Sequence, residues 1–315
     1  VVYGPVKIIV LGTGYVASGY LAAAHSLGLR PIVLSRDWSD YTRENNLEWV
    51  CEGVGPDLII NAAGFTGRTV DDCERYKEEC YAANVTAVRM LAKICKKRDI
   101  PLIHVSSGCV FTGPGVFREA DPPNNYRQFY SQTKIAAENE LLDSGAKAWI
   151  YRIRMPFDTR NHDRNWLKKL IHHMRILDGL NSVTYLHEFA MRSLEMVKEK
   201  KGPPGIYHAT NRGAVNTLAV AKLLHQSGLR EPPLLVWDKE EFEKAHTHRS
   251  EAVLNCRKFE DAFRTPFGDA MGWVRWCVTN WRWSQQYGDN PPQFRFPTEL
   301  PDPIGVWNPW PPSPR

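Results

Sequence analysis

Val6-Lys7-Ile8-Ile9-Val10-Leu11-Gly12-Thr13-Gly14-Tyr15-Val16-Ala17 is an apolar run that ends in a glycine-punctuated turn. Val6 to Leu11 reads as a strand buried on both faces of a parallel sheet. The turn matches G-x-G-x-x-A, and a helical stretch follows from Tyr15 to Leu27, ended by Gly28. In this setting the first glycine permits a tight turn, and the second lets backbone amides approach a pyrophosphate. The small Ala17 lets the helix lie close to the strand. The helix N-terminus adds its partial positive charge. Gly12, Gly14, Tyr15 and Val16 are therefore expected to hold a dinucleotide.

Outward from this turn, strands are expected at Pro31–Leu34, Leu58–Ile60, Leu102–Val105 and Trp149–Ile153, with helical segments at Val70–Arg98 and Phe129–Leu142. Such β-α alternation at about thirty-residue spacing predicts an α/β fold, a Rossmann-type doubly wound parallel sheet. After Pro156 the pattern loosens. Helices are expected at Trp166–Leu177, Glu188–Glu199 and Leu218–Gln226, and short strands at Val183–Leu186, Gly205–His208 and Leu234–Val236. The resulting division is a nucleotide-binding domain over 1–156 and a smaller C-terminal substrate lobe over 157–285, interleaved with the last Rossmann elements. Residues 286–315, rich in proline and carrying Trp307 and Trp310, are expected to be an extended tail.

The end of the second strand reads the adenosine ribose. An acidic residue there binds the 2′-hydroxyl of NAD, whereas arginine accommodates the 2′-phosphate of NADP. Ser35-Arg36-Asp37 stands at that place. Arg36 favours NADP, Asp37 keeps NAD open as the lesser option, and Ser35 is expected at the cofactor beside them.

The net charge of +5 is mild and its basic residues are scattered, which argues against a nucleic-acid partner. Seven cysteines, an odd number without C-x-x-C spacing, read as reduced thiols in an intracellular protein without structural zinc. His172-His173 and His246-x-His248 lack a third ligand at a convincing spacing, so no metal is expected. The apolar runs are too short to span a membrane, and the chain opens on a strand and turn rather than a signal peptide. A cytoplasmic location is expected.

Tyr130-Ser131-Gln132-Thr133-Lys134 sets a phenol and an ammonium on one helical face. A nearby ammonium favours the phenolate and brings a tyrosine pKa of about 10 toward the working range. This segment follows the fourth strand, where Ser106 and Ser107 stand at the C-terminal sheet edge at which open α/β sheets bind ligands.

The set GTGYVA, NAAG (Asn61–Gly64), Ser107, Tyr130 and Lys134 resembles the extended short-chain dehydrogenase/reductases that act on nucleotide sugars. NAAGFTGRTVDDCE (Asn61–Glu74), SSGCVF (Ser106–Phe111) and YRIRMPFDTRNHDRNWLKKL (Tyr151–Leu170) are similar to the bifunctional 3,5-epimerase/4-reductases that make activated rhamnose. NRGAV (Asn211–Val215) and Arg249-Ser250 extend the likeness across about residues 6–285. The family more often carries G-x-x-G-x-x-G where this chain has G-x-G-x-x-A.

The resemblance implies that Tyr130 donates a proton at C4, that Ser107 hydrogen-bonds the carbonyl and that Lys134 holds the nicotinamide ribose. It adds Asn61, Ala62, Ala63, Gly64 and Asn84 to the cofactor site, and Cys109 and Lys169 to epimerisation. It also implies that Arg154, Asn165 and Arg249 bind the nucleotide-sugar substrate. On residue chemistry alone, Cys109 is also a small buried hydrophobe, Lys168 competes with Lys169, and either arginine suits a structural ion pair. A reductase without epimerase activity and a non-catalytic NADP-binding subunit on the same fold remain as rivals. Homodimer formation is left open.

Overall fold

Ile8–Leu11 (β1), Ile32–Leu34 (β2), Leu58–Asn61 (β3), Leu102–Ser107 (β4), Ala148–Ile153 (β5) and Gly205–His208 (β6) form one sheet in the order β6-β5-β4-β3-β1-β2. Every neighbouring pair is parallel. All side chains of β1, β3, β4 and β5 are buried, because helices cover both faces. The computed structural model describes residues 6–287 apart from residues 38, 200, 232, 247 and 265. The expected tail lies, from residue 288 onward, outside the described residues.

On one face of the sheet, Tyr15–Ser26 (α1) packs with the later helix Leu186–Lys198; on the other, Glu44–Val54 (α2) packs with Ala87–Arg98. The chain leaves β1 toward β2, then returns to lay β3 on the opposite side of β1. That reversal opens a crevice at the C-terminal ends of β1 and β3, the ligand position of doubly wound sheets.

Two expectations needed revision. The single helix expected over Val70–Arg98 is broken into Asp72–Arg75 (α3), Lys77–Tyr81 (α4), a π-helical turn Ala82–Thr86 and Ala87–Arg98 (α5). The Asn84 side chain bonds both backbone groups of Phe65, and this turn presents it inward. The helix expected over Trp166–Leu177 stops at His172, because Arg175–Ile176 instead pairs with Leu235–Val236. The edge strand β6 comes from beyond residue 156 and pairs with β5.

Beyond β5, a second core gathers Phe157, Trp166, Leu170, Tyr185, Val220, Trp273 and Val274. It supports the helix Trp166–His172 beside the sheet's C-terminal edge. No helix among the described residues is long and apolar enough to cross a membrane.

Candidate active site

The glycine turn is built as its spacing predicts. Gly12 has φ +95, and a Cβ there would come within 3.1 Å of the Ala63 backbone, so the loops after β1 and β3 touch only because residue 12 is glycine. A Cβ on Gly14 would meet nothing, leaving open space at the start of α1. That helix has no side-chain cap and no acidic residue in its first turn, so its free N–H groups and positive end suit an anion. Tyr15 is buried, stacked on His162 at 4.8 Å, with Arg160 over its ring at 5.0 Å. Arg160 also donates to Ser18 Oγ (2.7 Å) and pairs with Asp158, so the loop after residue 157 closes against the turn. Burial and Asp158 push the Tyr15 phenol pKa well up. Arg36 is exposed just beyond β2, and Ser35 beside it is half-buried.

The β3 tip continues this surface. Asn61 is buried, its amide bonded to His104 (3.1 Å) and its carbonyl accepting from Ala63 N–H (3.2 Å). Ala62 and Ala63 are half-buried, and Gly64 is exposed. A Cβ on Gly64 would lie 3.1 Å from Asn84 Oδ1 and 3.7 Å from Lys134 Nζ. Glycine thus lets this loop pass beside the two polar groups.

Phe129–Ser144 (α6) carries Tyr130 in its first turn and Lys134 one turn later. Lys134 Nζ donates to Val105 O (3.1 Å) and stands 6.0 Å from the Tyr130 ring centroid. Burial pushes the Lys134 pKa down to about 8, and the Glu138 carboxylate opposes that shift. Burial drives the Tyr130 phenol upward, Cys109 adds to this, and hydrogen bonding with the Ser107 hydroxyl opposes it. Tyr130 is thus a neutral phenol at neutral pH, the form able to give up a proton.

Ser107 ends β4, and its hydroxyl oxygen accepts from Cys109 N–H (3.2 Å) at the start of the 3-10 turn Gly108–Val110. Cys109 is partly exposed, whereas the other six cysteines are buried. Its backbone carbonyl is pinned by Asn125 Nδ2 and Ser131 Oγ, both at 2.8 Å. Lys169, on Trp166–His172 (α7), is half-buried, and its pKa falls through burial and the charges of Arg164 and Arg249. Asp163 and Cys109 act on it in the opposite sense. Its neighbour Lys168 is engaged by Asp163 at 2.7 Å.

The three residues expected at the substrate are committed within the protein. Arg154 is buried and donates to Asn181 Oδ1, Ser250 Oγ (2.9 Å), Ser250 O (2.6 Å) and Cys109 Sγ (3.7 Å). Its guanidinium is thus engaged by neighbours within the fold, the Cys109 thiol among them. Asn165 is fully buried, caps α7 by accepting from Leu167 N–H (3.0 Å), and donates to the Asp158 and Arg160 carbonyls. Arg249 forms a two-pronged pair with Asp71 at 2.8 and 2.6 Å. His246 lies 3.9 Å from Asp71, and His248 bonds Thr112 Oγ1 at 3.2 Å. No group of three His, Cys, Asp or Glu able to hold a metal ion occurs among the described residues.

The sequence reading did not include Glu138 and Arg152. They form a buried ion pair at 2.6 Å beneath the site. Glu138 lies four residues past Lys134, so its helical phase was available as a signal.

Residues 6–274 match the family described as the RmlD substrate binding domain. This chain belongs to that family. Among its RmlD relatives, a bifunctional dTDP-4-dehydrorhamnose 3,5-epimerase/dTDP-4-dehydrorhamnose reductase of Arabidopsis thaliana is 38% identical over 175 residues, 52% of this chain and 57% of the relative. An Arabidopsis trifunctional UDP-glucose 4,6-dehydratase/UDP-4-keto-6-deoxy-D-glucose 3,5-epimerase/UDP-4-keto-L-rhamnose-reductase is 36% identical over 52% of this chain and 26% of its own length. The matched part thus spans about half or less of these curated relatives. A UDP-rhamnose synthase structure from Acanthamoeba polyphaga mimivirus superposes with TM-score 0.79 at 23% identity, covering 88% of this chain and 99% of that one. A Bacillus anthracis dTDP-4-dehydrorhamnose reductase in complex with NADP gives TM-score 0.77 at 18% identity, over 89% and 100% of the chains. These two likenesses establish the Rossmann-type α/β fold.

Proposed function

We propose that this chain is an NADPH-dependent nucleotide-sugar 4-ketoreductase that also epimerises C3 and C5, converting a nucleotide-linked 4-keto-6-deoxyglucose into the rhamnose form. The observation that supports this reading is that Ser107, at the end of β4, hydrogen-bonds Tyr130 and accepts from Cys109 N–H, with Lys169 acting electrostatically on Cys109. The glycine turn, the loop Asn61–Gly64, Asn84 and Lys134 would hold the dinucleotide, with Arg36 toward the adenosine 2′-phosphate. A bound nicotinamide supplies the hydride.

The residues do the rest. Ser107 donates a hydrogen bond to the C4 carbonyl oxygen and favours the negative charge that builds there. Tyr130, neutral at working pH, transfers its proton to that oxygen as the carbonyl is reduced. The Lys134 ammonium then favours the phenolate left behind. For epimerisation, the C4 ketone acidifies the hydrogens at C3 and C5. Cys109 and Lys169 form an acid–base pair that removes each proton and returns one to the opposite face, with the enolate oxygen held by Ser107.

The test supplies the purified protein with NADPH and either UDP- or dTDP-4-keto-6-deoxyglucose in deuterated water. The product sugar and its deuterium content are then identified. Tyr130→Phe should slow hydride transfer by about 10²–10⁴ while retaining exchange. Cys109→Ala should abolish deuterium incorporation at C3 and C5 and leave NADPH binding intact. Wild-type exchange in Cys109→Ala would remove the epimerase half and leave a reductase. Absence of NADPH turnover with both sugars would overturn the whole reading.

A further inference from the structure

We propose that Glu138, held by Arg152, is a positioning residue that sets the register of the Tyr130–Lys134 pair on β4 and keeps Lys134 charged. This inference rests on the reductase reading above.

Tyr130, Lys134 and Glu138 fall four residues apart on α6, so they form one stripe along its inner face. β4 presents a partner for each of the three at consecutive residues. Val105 O receives Lys134 Nζ, Ser106 Oγ donates to Glu138 Oε1 (2.5 Å), and Ser107 stands at Tyr130. Glu138 cannot slide along the strand, because Arg152 grips both carboxylate oxygens, Nε to Oε1 at 2.9 Å and Nη2 to Oε2 at 2.6 Å. Arg152 is the register partner of both Ser106 and His208, so the clamp is a polar row across three adjacent strands. His208 Nε2 lies 3.3 Å from Arg152, and the Phe111 ring faces the guanidinium at 5.0 Å.

A buried ion pair of this kind adds little net stability over an apolar substitute, since desolvation offsets the attraction. Its place beneath the tyrosine–lysine stripe points instead to geometry and charge. The ionisable groups around Lys134 are Tyr130 and Glu138 on its own helix, Cys73 and Cys80 from α3 and α4, and His104 on β4. Burial keeps His104 neutral. The hydrogen bond with Cys80, and after it burial, hold the Cys73 thiol protonated, and the same bond draws the Cys80 thiol downward. Of the groups that favour the Lys134 ammonium, Glu138 acts most strongly.

The test measures kcat against pH for wild type, Glu138→Gln, Glu138→Asp and the double variant Glu138→Gln/Arg152→Met. Loss of the carboxylate should move the alkaline limb of kcat toward neutrality by about one pH unit in Glu138→Gln and in the double variant. Glu138→Asp keeps the charge, so it should keep the limb and lower only the plateau. In parallel, the ¹⁵N shift of Lys134 Nζ is titrated, which needs no substrate. A limb and Nζ titration unmoved in folded variants would overturn the proposal. If Glu138→Gln fails to fold, the double variant decides, and failure of both assigns the pair to stability and overturns it. If wild type turns over neither keto sugar, the reductase reading fails. The Nζ titration alone then decides this proposal, with movement supporting it and constancy overturning it.

Discussion

Lys134 should be a stability defect tolerated for chemistry, and replacing it with methionine should strengthen the fold. Burial lowers its pKa from 10.5 to about 8, so the protonated side chain is disfavoured in the folded state. A shift of that size corresponds to about 3 kcal/mol at neutral pH. Methionine has a similar shape but cannot donate to Val105 O, which returns about 1 kcal/mol. Lys134→Met should therefore be more stable than wild type by about 2 kcal/mol at neutral pH.

The pH dependence has a definite sign. Below the folded pKa of about 8, both folded and unfolded chains carry the proton, so the cost is fully present. Between about 8 and 10.5 the unfolded chain binds more protons than the folded one, and wild-type stability gains on the variant. Above that window the difference should vanish or reverse. Urea denaturation of both proteins at neutral pH and at the alkaline end of the window measures it. A variant less stable than wild type at neutral pH, or a gap that does not change with pH, would refute the reasoning.

Arg36→Ala should lower NADPH affinity at least tenfold and leave NADH affinity nearly unchanged, because a charge-assisted contact to the 2′-phosphate is worth about 1.5–3 kcal/mol; paired calorimetric titrations read both. Asn165→Ala removes the α7 cap and strands the Asp158 and Arg160 carbonyls, so unfolding free energy should fall by about 2 kcal/mol. If Asn165→Ala instead raised the Michaelis constant at unchanged stability, the capping assignment would be wrong.

The features read correctly from sequence were those whose cause is local. The apolar run ending at Leu11, the glycines that follow and the Tyr130–Lys134 spacing each encode their geometry within a few residues. The surroundings of Lys168 and Lys169 were not readable, because they depend on where α7 begins, and the Asn165 cap sets that phase. The partners of Arg154 and Arg249 lie across the fold at Asn181, Ser250 and Asp71, so arginine chemistry alone could not separate a ligand site from an internal anchor. The π-helical turn carrying Asn84 was invisible for the same reason. Its run, AANVTAV, is unremarkable helix sequence, and the contact that widens the turn comes from Phe65.

The sixth strand has a consequence for how the chain is made. Synthesis runs from the N-terminus, yet β5 is completed on one side only when Gly205–His208 has emerged. The helix that covers α1 ends only at Lys198. A nascent chain stopped at residue 156 would therefore present the bare edge of β5 and an uncovered apolar face on α1, both templates for wrong pairing between polypeptides. The two parts of the chain are in this sense one folding event, and fusion or permutation points belong in surface loops rather than between them.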